Sequence, residues 1–107
     1  MKKIIFYKAM RGGDFIPVKG YLYTHEKNGI KIDFAINKTP AGWEINDIKT
    51  GALFPFLPWK NTLKESIKAI KEKENIFDAY EKISNTLQYQ TTARRLKDYR
   101  REAATCL

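Results

Sequence analysis

Asn28-Gly29-Ile30-Lys31-Ile32-Asp33-Phe34-Ala35-Ile36 is the stretch whose reading decides the fold. Its apolar residues alternate, so Ile30, Ile32, Phe34 and Ile36 fall on one face of a strand and Lys31, Asp33 and Ala35 on the other. A one-residue slip would expose all four, so the register is strongly specified. Asn28-Gly29 precedes the run, and both residues tolerate positive φ, which a tight hairpin turn needs. The partner strand is therefore Ile16 to His25.

Turn chemistry extends the sheet in both directions. Arg11-Gly12-Gly13-Asp14 separates that partner from a first strand, Lys3–Met10. Arg11-Gly12-Gly13 matches one RGG element, but a single copy between strands reads as a hairpin turn. Downstream, Asn37-Lys38-Thr39-Pro40-Ala41-Gly42 turns into Trp43–Lys49, and Thr50-Gly51 turns into a short fifth strand, Ala52–Phe56. Short connections make an antiparallel meander the economical arrangement. Pro55 marks an edge or the end of the sheet.

Near Pro58 the apolar period changes from two to helical spacing. Thr62-Leu63-Lys64-Glu65 is a capping box, and Leu63, Ile67 and Ile70 follow on one stripe. Asn75 is placed to cap a second helix carrying Ile76, Tyr80, Ile83 and Leu87. Thr91-Thr92 caps or kinks the chain before a terminal helix over about 92–104. The fold class is thus α+β: one domain over 1–107, with a four- or five-stranded antiparallel meander in 1–57 and two or three helices in 58–104 on one face.

Composition narrows the function. The chain has 107 residues, a net charge of +8, and fourteen aromatic residues for a core or a binding surface. Cys106 is the only cysteine, which excludes an intramolecular disulfide and fits a reducing compartment. No apolar run reaches the ~18 residues of a membrane span, and Lys8 interrupts the apolar start too early for a signal peptide. A cytoplasmic protein without membrane partners is expected.

The charge is concentrated. Arg94-Arg95-Leu96-Lys97-Asp98-Tyr99-Arg100-Arg101 holds five cations and one anion, half of the chain's net charge. On a helix Arg94, Lys97 and Arg101 share a face, Asp98 is placed to pair Arg94, and Leu96, Tyr99 and Ala103 form an apolar stripe. Such a block either complements its own helix dipole or meets phosphate or an acidic protein. A second candidate surface is the outer face of the sheet. With Val18 and Leu22 facing the Ile30 set, Lys19, Tyr21 and Tyr23 face outward, where tyrosines among lysines suit base stacking. The other reading has the tyrosines covering the sheet or packing beneath a helix, because Phe15, Tyr21 and Tyr23 form an equally apolar alternate face.

Catalytic chemistry finds little support. His25 is the only histidine, and there is no CxxC, HExxH, P-loop, GxGxxG or GxSxG motif. Asp14, Asp33, Glu44 and Asp47 are carboxylates without metal-site spacing. No catalytic residue, cofactor or metal ligand is assigned.

Gly42-Trp43-Glu44-Ile45-Asn46-Asp47-Ile48-Lys49-Thr50-Gly51, followed by Thr62-Leu63-Lys64-Glu65-Ser66, resembles small domains of phage and conjugative mobile-element accessory proteins. The resemblance covers residues 42–66, and its motif is structural: a core Trp43, a Thr50-Gly51 turn and a Thr62 cap. It implies a setting in which inhibitors of host defence nucleases, including anti-CRISPR proteins, are found. Taken together, the expectation is a non-enzymatic basic protein that binds nucleic acid or a nucleoprotein enzyme such as a host nuclease. The alternatives are a protein–protein adaptor or oligomerisation module using Phe56, Leu57, Trp59 or the Leu96/Tyr99 stripe, and a small metal-dependent nuclease.

Overall fold

The computed structural model describes residues 1–105. Four strands, β1 (Lys2–Ala9), β2 (Phe15–Lys27), β3 (Ile30–Thr39) and β4 (Gly42–Asp47), precede three helices, α1 (Leu63–Glu72), α2 (Ile76–Ser84) and α3 (Leu87–Thr105). The strands form one antiparallel sheet in the order β1-β2-β3-β4, an α+β meander. Cys106 lies outside the described residues, as does the side chain of Ala103.

Asn28 and Gly29 form the two-residue turn at φ 53° and 79°, and Lys27 faces Ile30 across it. That pairing fixes the faces. His25, Tyr23 and Tyr21 stand opposite Ile32, Phe34 and Ile36, and directly opposed residues share a face. The arrangement with Val18 and Leu22 facing the Ile30 set is therefore reversed. Ile32, Phe34, Ile36 and Ile45 make the core with Phe54, Leu57, Ile70 of α1 and Ile76 of α2. Ile30 is not part of it: beside the turn it is 56% exposed.

Part of the opposite face is also buried, which alternation on one strand did not suggest. It carries Phe6, Ala35, Asn37, Glu44 and Asn46. β1 and β4 are the two edges of the sheet, yet the Lys8 ammonium pairs with the Glu44 carboxylate. The Ala9 amide also donates to the Gly51 carbonyl at 2.9 Å. The sheet therefore curls until its edges approach, and this face becomes the inside of the curl. Asn46 Nδ2 donates inside it to the Ala35 carbonyl (3.0 Å) and to Asn37 Oδ1 (2.7 Å). Asn46 Oδ1 is buried with no hydrogen-bond partner. Gly20 lines the curl, where a Cβ would lie 2.8 Å from the Ile36 carbonyl oxygen and 3.1 Å from the Phe6 ring. Gly51 has φ +70°, and a Cβ there would collide with the Tyr7 carbonyl.

The fifth strand shrinks to a two-bond ladder, Asp47 N to Ala52 O and Phe54 N to Ile45 O, both 2.9 Å. Pro55 ends it by lacking an amide donor. Phe54 and Leu57 turn into the core, whereas Phe56 points away at φ 66°.

Thr62 caps α1, accepting from the Glu65 amide at 3.1 Å. Thr62→Ala should cost about 0.5–2 kcal/mol of stability by orphaning that donor, measured by chemical denaturation. Asn75 begins α2 in the left-handed region without a side-chain cap bond. The break before the last helix comes earlier than Thr91-Thr92, which lie within α3. Thr86 accepts from the Tyr89 amide at 3.2 Å and restarts the chain as a new helix. Leu87 consequently leaves the α2 stripe and is exposed.

Candidate nucleic-acid interface

α1 and α2 cover only part of the convex sheet face that carries Ile32, Phe34 and Ile36. Tyr23, under them, packs against the core and places its hydroxyl 3.5 Å from His25 Nδ1. His25 stacks on Phe77 of α2, with ring centroids 5.4 Å apart. Burial, then Lys27 and Lys71, lower the His25 pKa, and burial raises that of Tyr23. Tyr23 is thus a packing residue on a covered face.

Tyr21 lies one step further along, past the helices. The register aligns Lys3 with Tyr21, Ile5 with Lys19, and Lys38 with Trp43. These six residues, with Ile4 and Gly20, line an open groove of about 520 Å³. The Tyr21 and Trp43 ring centroids are 6.1 Å apart at an interplanar angle of 45°. Trp43 is held through its backbone, which exchanges hydrogen bonds with Lys60 at 2.7 and 3.2 Å. Its indole is half-buried beside the core. Lys3, Lys19 and Lys38 are exposed, none forms an ion pair among the described residues, and no carboxylate lines the groove. Lys19 and Tyr21 come together here without Tyr23, on the face of Ile32, Phe34 and Ile36 and not on the opposite one expected from the sequence. Trp43 and Lys38 were missed. A two-residue Pro40-Ala41 turn, pairing Thr39 with Gly42, is the signal that sets them side by side on this face.

The basic block behaves differently. Leu96 of α3 is fully buried, and Tyr99 packs its ring on Tyr7 (5.3 Å) and Phe15 (5.5 Å). Arg95 donates to the Gly13 carbonyl at 2.8 Å, and Arg100 to the Ile48 carbonyl at 3.4 Å. Asp98 pairs with Arg101 at 3.0 Å rather than with Arg94. Much of the block therefore ties α3 to the end of the sheet. Arg94 and Lys97 are exposed beside it.

The carboxylates are scattered. Glu44 points into the curl and Asp47 to the outer face, and Asp33 accepts from Thr24 Oγ1 at 2.6 Å at the surface. Among the described residues, no three His, Cys, Asp or Glu side chains gather as metal ligands. Asp47 borders a cavity of about 200 Å³ with Thr50, Phe54, Ile83 and Tyr89 among its lining. It accepts from the Thr50 amide (3.1 Å) and hydroxyl (2.8 Å). Burial pushes its pKa up, opposed by hydrogen bonds from Thr50 and Tyr89. The Tyr89 pKa is raised by burial, by its hydrogen bond with Tyr80 (3.3 Å between hydroxyls) and by the Asp47 charge. This chain of polar groups joins β4 to α2 and α3.

No helix among the described residues is long and apolar enough to cross a membrane. Comparison with known protein families, with curated proteins and with solved structures found no match.

Proposed function

We propose that the protein is a non-enzymatic binder of nucleic acid that grips phosphates through the basic groove on its sheet. The observation that carries this reading is the trio Lys3, Lys19 and Lys38 around Tyr21 and Trp43, with no carboxylate in the lining. Ammonium groups gathered without neutralising partners attract a polyanion and release its counterions. Arg94 and Lys97 on α3 add to the positive field, while Arg95 and Arg100 are engaged in holding the helix. A mobile-element protein that inhibits a defence nuclease by covering its bound strand is one biological use of such a surface.

The test is binding to nucleic acid across a salt series. Affinity should fall steeply with salt, and Lys3→Glu/Lys19→Glu/Lys38→Glu should abolish it while thermal unfolding stays cooperative. Arg94→Glu/Lys97→Glu should weaken it less. A folded groove variant that binds like the wild type would refute the proposal. The adaptor reading rests on Phe56, which is 74% exposed with the Lys73 ammonium 5.5 Å from its ring centroid. It forecasts salt-insensitive association with a protein, lost in Phe56→Ser.

A further inference from the structure

We infer that the groove takes single-stranded DNA, with a base stacked on the Tyr21–Trp43 pair and the flanking phosphates on Lys3, Lys19 and Lys38. The inference rests on the nucleic-acid reading above and adds the strandedness and the sugar.

The rings decide strandedness. In a duplex the faces of the bases are buried against one another, so a protein reaches them only in unpaired strand. Tyr21 and Trp43 are half-buried, hence oriented by their surroundings, and both open onto the groove. Their 45° tilt keeps them from closing on each other as a parallel stack, which leaves ring surface for a base. The three lysines, on β1, β2 and β3, flank the rings on β2 and β4, and a backbone carrying the stacked base would pass along them. A groove for duplex phosphates alone has no use for aromatic rings between its cations.

The remaining lining decides the sugar. RNA is distinguished by its 2′-hydroxyl, which calls for a hydrogen-bonding partner. The 2′-hydroxyl proton needs an acceptor, and apart from the Tyr21 hydroxyl the lining side chains supply none: the ammonium groups and the indole N–H only donate, and the rest is aliphatic carbon. Ile5 is 66% exposed beside Lys19 and gives an apolar surface suited to deoxyribose.

The experiment is fluorescence titration of the full chain carrying Trp59→Phe, so that Trp43 is the single tryptophan. The probes are an oligothymidylate of about twelve nucleotides, within the site sizes single-strand binders use, a duplex of the same length and the matching oligouridylate. Trp43 emission should change on saturation with oligothymidylate, and that probe should bind at least about tenfold tighter than the duplex and more tightly than the oligouridylate. Tyr21→Ala should weaken single-strand binding by about 5- to 150-fold, the range expected for one lost stacking partner, and Tyr21→Phe should retain it. Lys19→Ala should leave the emission change intact and flatten the salt dependence. The wild-type comparison of probes requires no variant to fold, and circular dichroism on Tyr21→Ala establishes that its loss is local. Duplex bound as tightly as single strand, with steep salt dependence, would overturn this inference and leave the nucleic-acid reading standing. Tighter oligouridylate binding would overturn the choice of DNA. Unchanged Trp43 emission at saturation, or wild-type affinity in Tyr21→Ala, would overturn the stacking site. Failure to bind any of the three probes at low salt would overturn both readings.

Discussion

Phe34→Ala should lower the unfolding free energy by about 3–5 kcal/mol, seen as a shifted denaturant midpoint at little changed slope. Phe34 is fully buried at the centre of β3. Its ring meets Phe54 edge-on at 5.2 Å, and Phe54 stacks in turn on Tyr80 of α2 at 6.5 Å. Alanine would remove the aromatic bridge between the sheet and the helices, leaving a cavity that a strand paired on both sides cannot close by moving. Ile30→Ala, on the same strand and the same face, should cost far less because that side chain is largely in water. The contrast separates burial from β-propensity, since both changes remove a good strand former. A Phe34→Ala loss below about 1 kcal/mol would mean that the core does not form around β3.

That β3 was legible follows from its clean alternation, and its turn from Asn28-Gly29. β2 was harder because both of its faces are apolar: Phe15, Tyr21 and Tyr23 on one, Ile16, Val18 and Leu22 on the other. Periodicity cannot choose between equal faces. The turn can, because a two-residue loop makes Lys27 oppose Ile30 and so places Tyr23 beside Phe34. Thr62 was legible because its cap is local in sequence. The α2–α3 break was not, because Leu87 continues the apolar spacing of α2 while Thr86, by capping the Tyr89 amide, interrupts the helix. The groove was half legible. Lys19 and Tyr21 were marked, but Trp43 reads from sequence as core, and part of its indole does serve the core. The cationic block stood out by charge density, yet charge density does not reveal that Arg95 and Arg100 spend hydrogen bonds on the carbonyls of Gly13 and Ile48. The curl was beyond a strand-by-strand reading, because it depends on residues 36 positions apart, Lys8 and Glu44.

Lys8→Ala should be about as damaging as the loss of a core aromatic, costing about 3–5 kcal/mol, although a surface lysine is ordinarily expendable. The Glu44 side chain is 7% exposed and that of Lys8 21%, so the pair sits inside the curl, out of reach of full solvation. Removing the ammonium leaves a carboxylate in a site lined by Phe6, Ala35, Asn37 and Asn46, and Asn46 Oδ1 there already has no donor. Removing the charge and its partner together is a different experiment. Lys8→Met/Glu44→Leu should be neutral or more stable by about 1–4 kcal/mol, because it avoids desolvating two ions. The double-mutant cycle should thus give a large coupling energy from a pair that contributes little net stability. What the pair supplies is closure: it fastens β1 to β4, next to the Ala9–Gly51 hydrogen bond. Hydrogen exchange at the Ala9 amide reads that closure directly, and its protection should fall in Lys8→Ala by more than the global destabilisation accounts for. Independent effects of the two substitutions in the cycle, or an Ala9 amide that exchanges only with global unfolding in Lys8→Ala, would show that the edges are held together by the turn at Gly51 without the ion pair.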